Sequence, residues 1–201
     1  MIDLIVESIK HEGKMISELV NFLDFDTIIK ISSLLNNCSG KIVLSGCGTS
    51  AMAAKKITHS LNCIECPAIF ITPSDANHGG LGVLKSNDIM ILISKGGATS
   101  ELLNLAKVCK IKKTPLVVVS ENDISEIVQL SDVFLKIKVQ AESCKYNLLA
   151  TASTLAVIAT FDAICILIMD LKNYSKDEFS IIHSGGAVGE KLRDGCSKPY
   201  K

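Results

Sequence analysis

Apolar residues gather in five short, nearly continuous runs: 41–46, 68–71, 88–94, 115–120 and the weaker 133–137. Each is rich in Val, Ile and Leu and shows little alternation with polar residues. Strands buried on both faces of a parallel sheet read this way. Between them the pattern changes to a helical period. Residues 50–61 follow the first run, and residues 100–111 follow the third, with Leu102, Leu103, Leu105, Ala106 and Cys109 on their apolar positions. Alternation of strand and helix predicts an α/β fold with a doubly wound parallel sheet. Two helices are expected before the first strand. Residues 2–23 carry Ile5, Ile9, Met15, Leu19 and Leu23 at helical spacing, interrupted by Gly13. Residues 26–37 begin with Asp26 as an acidic N-cap candidate.

The longest apolar stretch, 148–171, has the length of a membrane span. It also contains Thr151, Ser153, Thr154, Thr160, Asp162 and Asp170. Charges within a span are costly, so a helix buried in a core or a subunit interface is expected. A glycine-bearing tail follows from Asn173 to Lys201, and residues 197–201 are expected to be disordered. The 201 residues suit one domain over 1–196: N-terminal helices in 1–39, an α/β core in 40–172 and a tail in 173–196.

Charge narrows the choice of partner. Lys and Arg number 21, as do Asp and Glu, giving zero formal net charge. Without clustered basic residues, neither a nucleic-acid partner nor a polybasic membrane surface is expected. Eight cysteines lie scattered, some within apolar runs. The N-terminus carries acids and lacks a signal-peptide pattern, so a reducing cytoplasm is expected. Cys63 and Cys66 make a single C-x-x-C pair with no second pair or nearby His at ligand spacing, so no metal is expected. Buried apolar cysteine is the favoured role.

Ligands of open parallel sheets bind beyond the carboxyl ends of the strands. Two turns there are small and rich in hydroxyls: Gly46-Cys-Gly-Thr-Ser50 and Ser94-Lys-Gly-Gly-Ala-Thr-Ser-Glu101. Each opens a helix. Backbone N–H groups at a helix start, joined by Ser and Thr hydroxyls, hold a phosphate without a basic side chain. The plainer alternative is a capped strand-to-helix turn. Neither turn is a nucleotide motif: Ala51 stands where G-x-G-x-x-G needs its third glycine, and no G-x-x-x-x-G-K-[ST] occurs.

These two turns, with Pro73-Ser-Asp-Ala-Asn-His78-Gly-Gly-Leu-Gly82, the stretch Ala141–Thr154 and the segment Ile182–Gly189, resemble the SIS (sugar isomerase) domain. Within that superfamily the chain is similar to the arabinose 5-phosphate isomerases of capsule and lipopolysaccharide sugar synthesis. Five segments in order, spanning roughly Lys41 to Leu192, carry the resemblance. It implies a three-layer α/β/α sandwich, a five-stranded parallel sheet in flavodoxin-like order, and a homo-oligomer, dimer or tetramer. The family's acidic active-site positions fall on Glu101 and Glu142, and its histidines on His78 and His183. Its first-turn lysine falls on Thr49, its second-turn glutamate on Ala98 and a second-turn serine on Gly96.

The implied reaction moves a carbonyl between C1 and C2 of a phosphosugar through an enediol, with no organic cofactor or metal. A carboxylate in a partly dry site suits the proton transfer, because burial raises its pKa. Either Glu101 or Glu142 fills this role. Imidazole titrates near neutrality, so His183 suits ring opening or enediol protonation, and His78 suits substrate positioning. Phosphate contacts are expected from Ser45, Gly48, Thr49, Ser50, Ser94, Gly96, Thr99 and Ser100, with Ser153 and Thr154 from the long helix. Lys95 is either a solvated surface lysine or a replacement for charge absent at Thr49. Two other readings stay open: a non-catalytic phosphosugar-binding regulator, and an isomerase of another pentose or hexose phosphate.

Overall fold

The computed structural model describes residues 1–183, 185, 186 and 189. Its sheet has five strands: β1 (Ile42–Gly46), β2 (Ala68–Phe70), β3 (Ile89–Ile93), β4 (Leu116–Ser120) and β5 (Val133–Lys136). All pair in parallel, in the order β2-β1-β3-β4-β5. This is the expected flavodoxin-like winding, with its switch point between β1 and β3.

The helices are α1 (Ile2–Glu18), α2 (Phe25–Asn36), α3 (Gly48–Asn62), α4 (Pro73–Asn77), α5 (Ser100–Lys112), α6 (Glu126–Gln129), α7 (Ala152–Leu171) and α8 (Lys176–Ile182). They cover both faces of the sheet. Ile42, Leu44, Ile89, Ile91, Ile93, Val117 and Val119 point into one layer with residues of α1, α2, α3 and α7. The intervening Val43, Met90, Leu92, Leu116 and Val118 point into the other with residues of α4, α5 and α6. Both faces being apolar explains why these strands read as continuous runs.

Several boundaries differ from expectation. The first helix stops at Glu18, and a 3-10 turn, Leu19–Asn21, carries the chain on. Asp24, not Asp26, caps α2, its carboxylate accepting from the backbone N–H groups of Asp26 and Thr27. Capping needs a residue one step outside the helix, and Asp26 already lies inside. The long apolar helix starts at Ala152 rather than near Leu148; Leu148 and Leu149 are exposed in the loop before it. A helix within the tail, α8, begins with a capping box between Ser175 and Glu178. Residues 190–201, including the expected disordered end, lie outside the described residues, as do Ser184, Ala187 and Val188 of the glycine-bearing segment.

The helix α7 is long and apolar enough to cross a membrane, yet it packs on α1, α2 and α3, with Phe161, Ile164 and Ile168 fully buried. Its opposite face leaves Ile166 exposed, and α1 leaves Ile2, Leu4, Ile5 and Ile9 exposed.

Candidate phosphosugar site

The turns after β1 and β3 lie side by side, because their strands are neighbours in register. Gly46 allows a close approach where β1 meets α3: a Cβ there would stand 3.0 Å from the backbone of Ser50. Gly48 opens α3 at a φ of +55°, which favours glycine. In the second turn Gly97 adopts a φ of +65°, and a Cβ would stand 2.2 Å from Ser125 Oγ. Neither N-cap residue, Cys47 of α3 or Thr99 of α5, caps its helix with a side chain; within the first turn of α5 the Glu101 carboxylate takes its own N–H. The other leading N–H groups, with the exposed or half-buried Thr49, Ser50, Thr99 and Ser100, therefore present donors to the switch point.

Two recesses share the first turn as a wall. One is a narrow cavity of about 40 Å³, lined by Thr49, Ser50, Lys95, Glu121, Ser153 and Thr154 among others. The other is an open cleft of about 510 Å³, bordered by Cys47, Gly48, Ser74, Asn77, His78 and Glu101. A further shallow cleft meets the narrow cavity at Lys95 and Glu121.

Glu142 is buried beside the narrow cavity. Its carboxylate accepts from Lys95 Nζ at 2.5 Å, from the Thr151 and Ser153 backbone N–H groups at 2.9 and 3.1 Å, from Thr151 Oγ1 at 3.2 Å, and from Ser153 Oγ. Burial works strongly to raise its pKa, but the Lys95, Ser153 and Thr151 donors outweigh it and hold the carboxyl down to about 2. The expectation that burial raises the pKa of this carboxylate is thus corrected: converging donors reverse it. Glu142 in effect occupies the anion site at the start of α7.

Glu101 is its opposite. It lies exposed in the first turn of α5, and its own backbone N–H and Ser100 Oγ, at 3.0 Å, lower its pKa. His78 ends α4, exposed, in the same open cleft. Asn77 links the α4 end to α5 through the Glu101 carbonyl at 3.3 Å.

Three hydroxyls expected at the phosphate are engaged within the chain. Ser45 is fully buried and donates to the Ile71 carbonyl at 2.8 Å, so it ties β1 to the loop after β2. Ser94 is buried too; its Oγ accepts from the Gly97 N–H at 3.2 Å and shares a bond with Thr99 Oγ1, shaping the turn. Ser153 gives its hydroxyl to Glu142. In each case a hydroxyl expected to face the ligand satisfies a buried acceptor or donor instead. Gly96 and Thr154 border the clefts, on the shallow and narrow sides respectively.

His183 does not meet the other site residues of its own chain. α7 carries the chain about 30 Å from Glu142. Lys172, just after it, bonds the carbonyls of Ile64 and Glu65 at the amino edge of the sheet. His183 then ends α8, stacked on Phe179 with ring centroids 3.8 Å apart.

Glu121 escapes sequence reasoning. Its only signal is a carboxylate immediately after the fourth apolar run. It is half-buried, and burial raises its pKa. His11 shows no signal at all along the chain, yet its Nε2 lies 3.0 Å from the Ala141 carbonyl and braces the loop that carries Glu142.

The SIS domain family model matches residues 34–167. The chain belongs to the SIS domain family. Among curated SIS relatives, the arabinose 5-phosphate isomerase KdsD of Francisella tularensis is 32% identical over 93% of this chain and 58% of its own length. KpsF of Escherichia coli, also an arabinose 5-phosphate isomerase, is 30% identical over 96% of this chain and 61% of its own. The chain therefore spans about three fifths of these relatives. A crystal structure of a candidate sugar-phosphate isomerase from Listeria monocytogenes superposes with a TM-score of 0.90, at 50% identity, over 92% of this chain and 96% of that one. An Escherichia coli CFT073 protein in complex with arabinose 5-phosphate gives 0.86, at 26% identity, over 90% and 96%.

Proposed function

We propose that this chain isomerises a phosphosugar between its aldose and ketose forms, with arabinose 5-phosphate as the leading substrate. The observation that carries this reading is the pair of helix starts, α3 and α5, whose N-cap residues make no side-chain cap, with Glu101 in the open cleft and Glu142 bonded to Lys95 and Ser153 of the narrow cavity. The helix starts suit a phosphate; the flanking carboxylates suit proton transfer along the carbon chain. The similarity to arabinose 5-phosphate isomerases, and to a protein solved with that sugar phosphate bound, supports the same substrate class.

In this reading the phosphate lies against the N–H groups and hydroxyls of Thr49, Ser50, Thr99 and Ser100. One glutamate removes the C2 proton, the electron pair forms the enediol, and the proton is returned at C1. The C1 carbonyl becomes a hydroxyl as the C2 hydroxyl becomes a carbonyl, so no redox partner or cofactor is consumed. Proton transfer by a positioned carboxylate contributes about 10²–10⁴-fold. His78 positions the sugar from the open cleft. His183, remote from its own chain's site, suits the site of a neighbouring copy, and the exposed apolar residues of α1 and α7 suit a homo-oligomer.

A second reading is phosphosugar binding without turnover. It draws on Glu142, whose carboxylate is saturated by donors and resists protonation. A coupled assay over pentose and hexose phosphates separates the two. Conversion of arabinose 5-phosphate to its 2-keto isomer is expected; binding of every phosphosugar with conversion of none would establish the second reading.

A further inference from the structure

Lys95 stands between two carboxylates. Its ammonium bonds Glu142 at 2.5 Å and lies 3.8 Å from Glu121 Oε1, too far for a hydrogen bond. Glu121 Oε1 is buried and has no hydrogen-bond partner among the described residues. A buried carboxylate oxygen left without a donor is costly, and it calls for a physical reason. The reason on view is the ammonium beside it, which already serves another carboxylate.

The Lys95 backbone is tied to the turn by hydrogen bonds, while its side chain is partly exposed. Its carbonyl accepts from the Glu121 N–H at 3.0 Å and from Ser120 Oγ at 3.0 Å, and Asn122 Nδ2 holds the Gly96 carbonyl at 3.1 Å. The Lys95 side chain is 44% exposed, against 1% for Glu142 and 22% for Glu121. Its head therefore has room to move between two fixed acceptors, at the mouth of the cavity that Thr49, Ser50 and Thr154 share.

We propose that Lys95 is an exchangeable cation, paired with Glu142 in the free protein and passed to Glu121 and an anionic substrate oxygen when a phosphosugar enters. The exchange rests on the phosphosugar reading of the site. It leaves Glu142 with only its Ser153 and Thr151 donors, so burial then acts against its charged form and readies it to exchange a proton. Glu121 is the positioning residue that receives the ammonium. The other charged groups around this cluster are Lys138, which faces Glu121, and His11 and Glu12 of α1, bonded to Ala141 and Ser143 on either side of Glu142.

The exchange predicts two opposed proton movements on binding: uptake at Glu142 as it loses the cation, and release at Glu121, whose pKa burial raises, as it gains it; the phosphate group adds its own release below its second pKa of about 6. Calorimetric titration in two buffers of different ionisation enthalpy reads their sum. The probes are arabinitol 5-phosphate, which has no carbonyl to move, and inorganic phosphate. Lys95→Met, which has no cation to pass, should bind at least tenfold more weakly and show only the ligand's own ionisation. The wild type should differ from it in protons exchanged with either probe, and Lys95→Arg should restore part of both affinity and exchange. Glu121→Gln should bind within threefold of wild type but exchange protons to a different extent, and the acid limb of its kcat should move to lower pH. Melting temperatures check that each variant is folded. Wild-type proton exchange equal to that of Lys95→Met at every pH, or Glu121→Gln indistinguishable from wild type in exchange and in kcat profile, overturns the proposal. Binding of inorganic phosphate with an exchange unlike that of Lys95→Met, but no binding or turnover of any phosphosugar, retains the exchange and sinks the substrate reading.

Discussion

The two acidic sides of the site differ in burial and in the number of donors they take. Glu142 is buried, held by donors from three residues, and locked to the start of a 20-residue helix. Glu101 is exposed in an open cleft and bonded only to its own helix turn. The sequence presents both as acids next to a helix start. What separates them is burial and the reach of the donors. Glu142 is buried and takes N–H groups of Thr151 and Ser153, distant along the chain, and so does structural work for α7; Glu101 is exposed and takes only its own N–H and the adjacent Ser100 hydroxyl, which leaves it open to a ligand. Burial alone therefore does not make a carboxylate basic, since donor number decides the sign.

The largest effect that would break this comparison comes from Glu142. Glu142→Ala strips the donors at the α7 start and Lys95 of their acceptor, with an expected loss of about 2–3 kcal/mol in denaturant unfolding and loss of turnover. Glu101→Gln should lower kcat by roughly 10²-fold yet change stability by less than about 0.5 kcal/mol. Equal stability losses in the two variants would erase the distinction between the two sides.

Acid titration sharpens the same contrast. The folded Glu142 pKa, about 2, lies below the ordinary value of 4.5. Its contribution is complete above the unfolded pKa and is lost as pH falls through the folded one, that is from about 4.5 toward about 2. Asp88, buried and bonded to the Lys41 and Lys85 N–H groups and to Lys41 Nζ, also has a lowered pKa and loses stability in the same direction. Glu142→Gln should thus flatten part of the acid limb of stability and leave the Asp88 part in place. An unchanged limb would remove Glu142 from the account.

Smaller effects test the turns. Gly97→Ala places a methyl against Ser125 at a positive φ and should cost about 2 kcal/mol, measured by unfolding. Ser45→Ala should cost about 1 kcal/mol, by freeing the Ile71 carbonyl, with KM unchanged. Thr49→Ala should do the reverse, raising KM with little change in stability. A raised KM for Ser45→Ala would return that residue to the ligand.

Much of the architecture is legible along the chain. The five apolar runs mark all five strands, because a strand covered on both faces cannot alternate. The turns Gly46–Ser50 and Ser94–Glu101 are legible as helix openings, because small residues and hydroxyls there have a local cause. Short helices escape: α4 and α6 are too brief for a period to register, although the Ser175–Glu178 capping box of α8 stands in plain view.

The sequence by itself determined the strands and their parallel α/β alternation, since these follow from local periodicity; the winding came from the resemblance to the SIS domain, and the expected ligand position from the general geometry of parallel sheets. Only the tertiary structure decided which hydroxyls are engaged inside the fold and which stay exposed. Ser45, Ser94 and Ser153 look no different from Thr49 or Ser100 along the chain, but the first three meet buried partners that are distant in sequence or folded back in a turn. Tertiary packing likewise gathered Lys95, Glu121 and Glu142 from three separate loops into one cluster. Charge coupling depends on distances of a few ångströms, and spacing along the chain does not encode them.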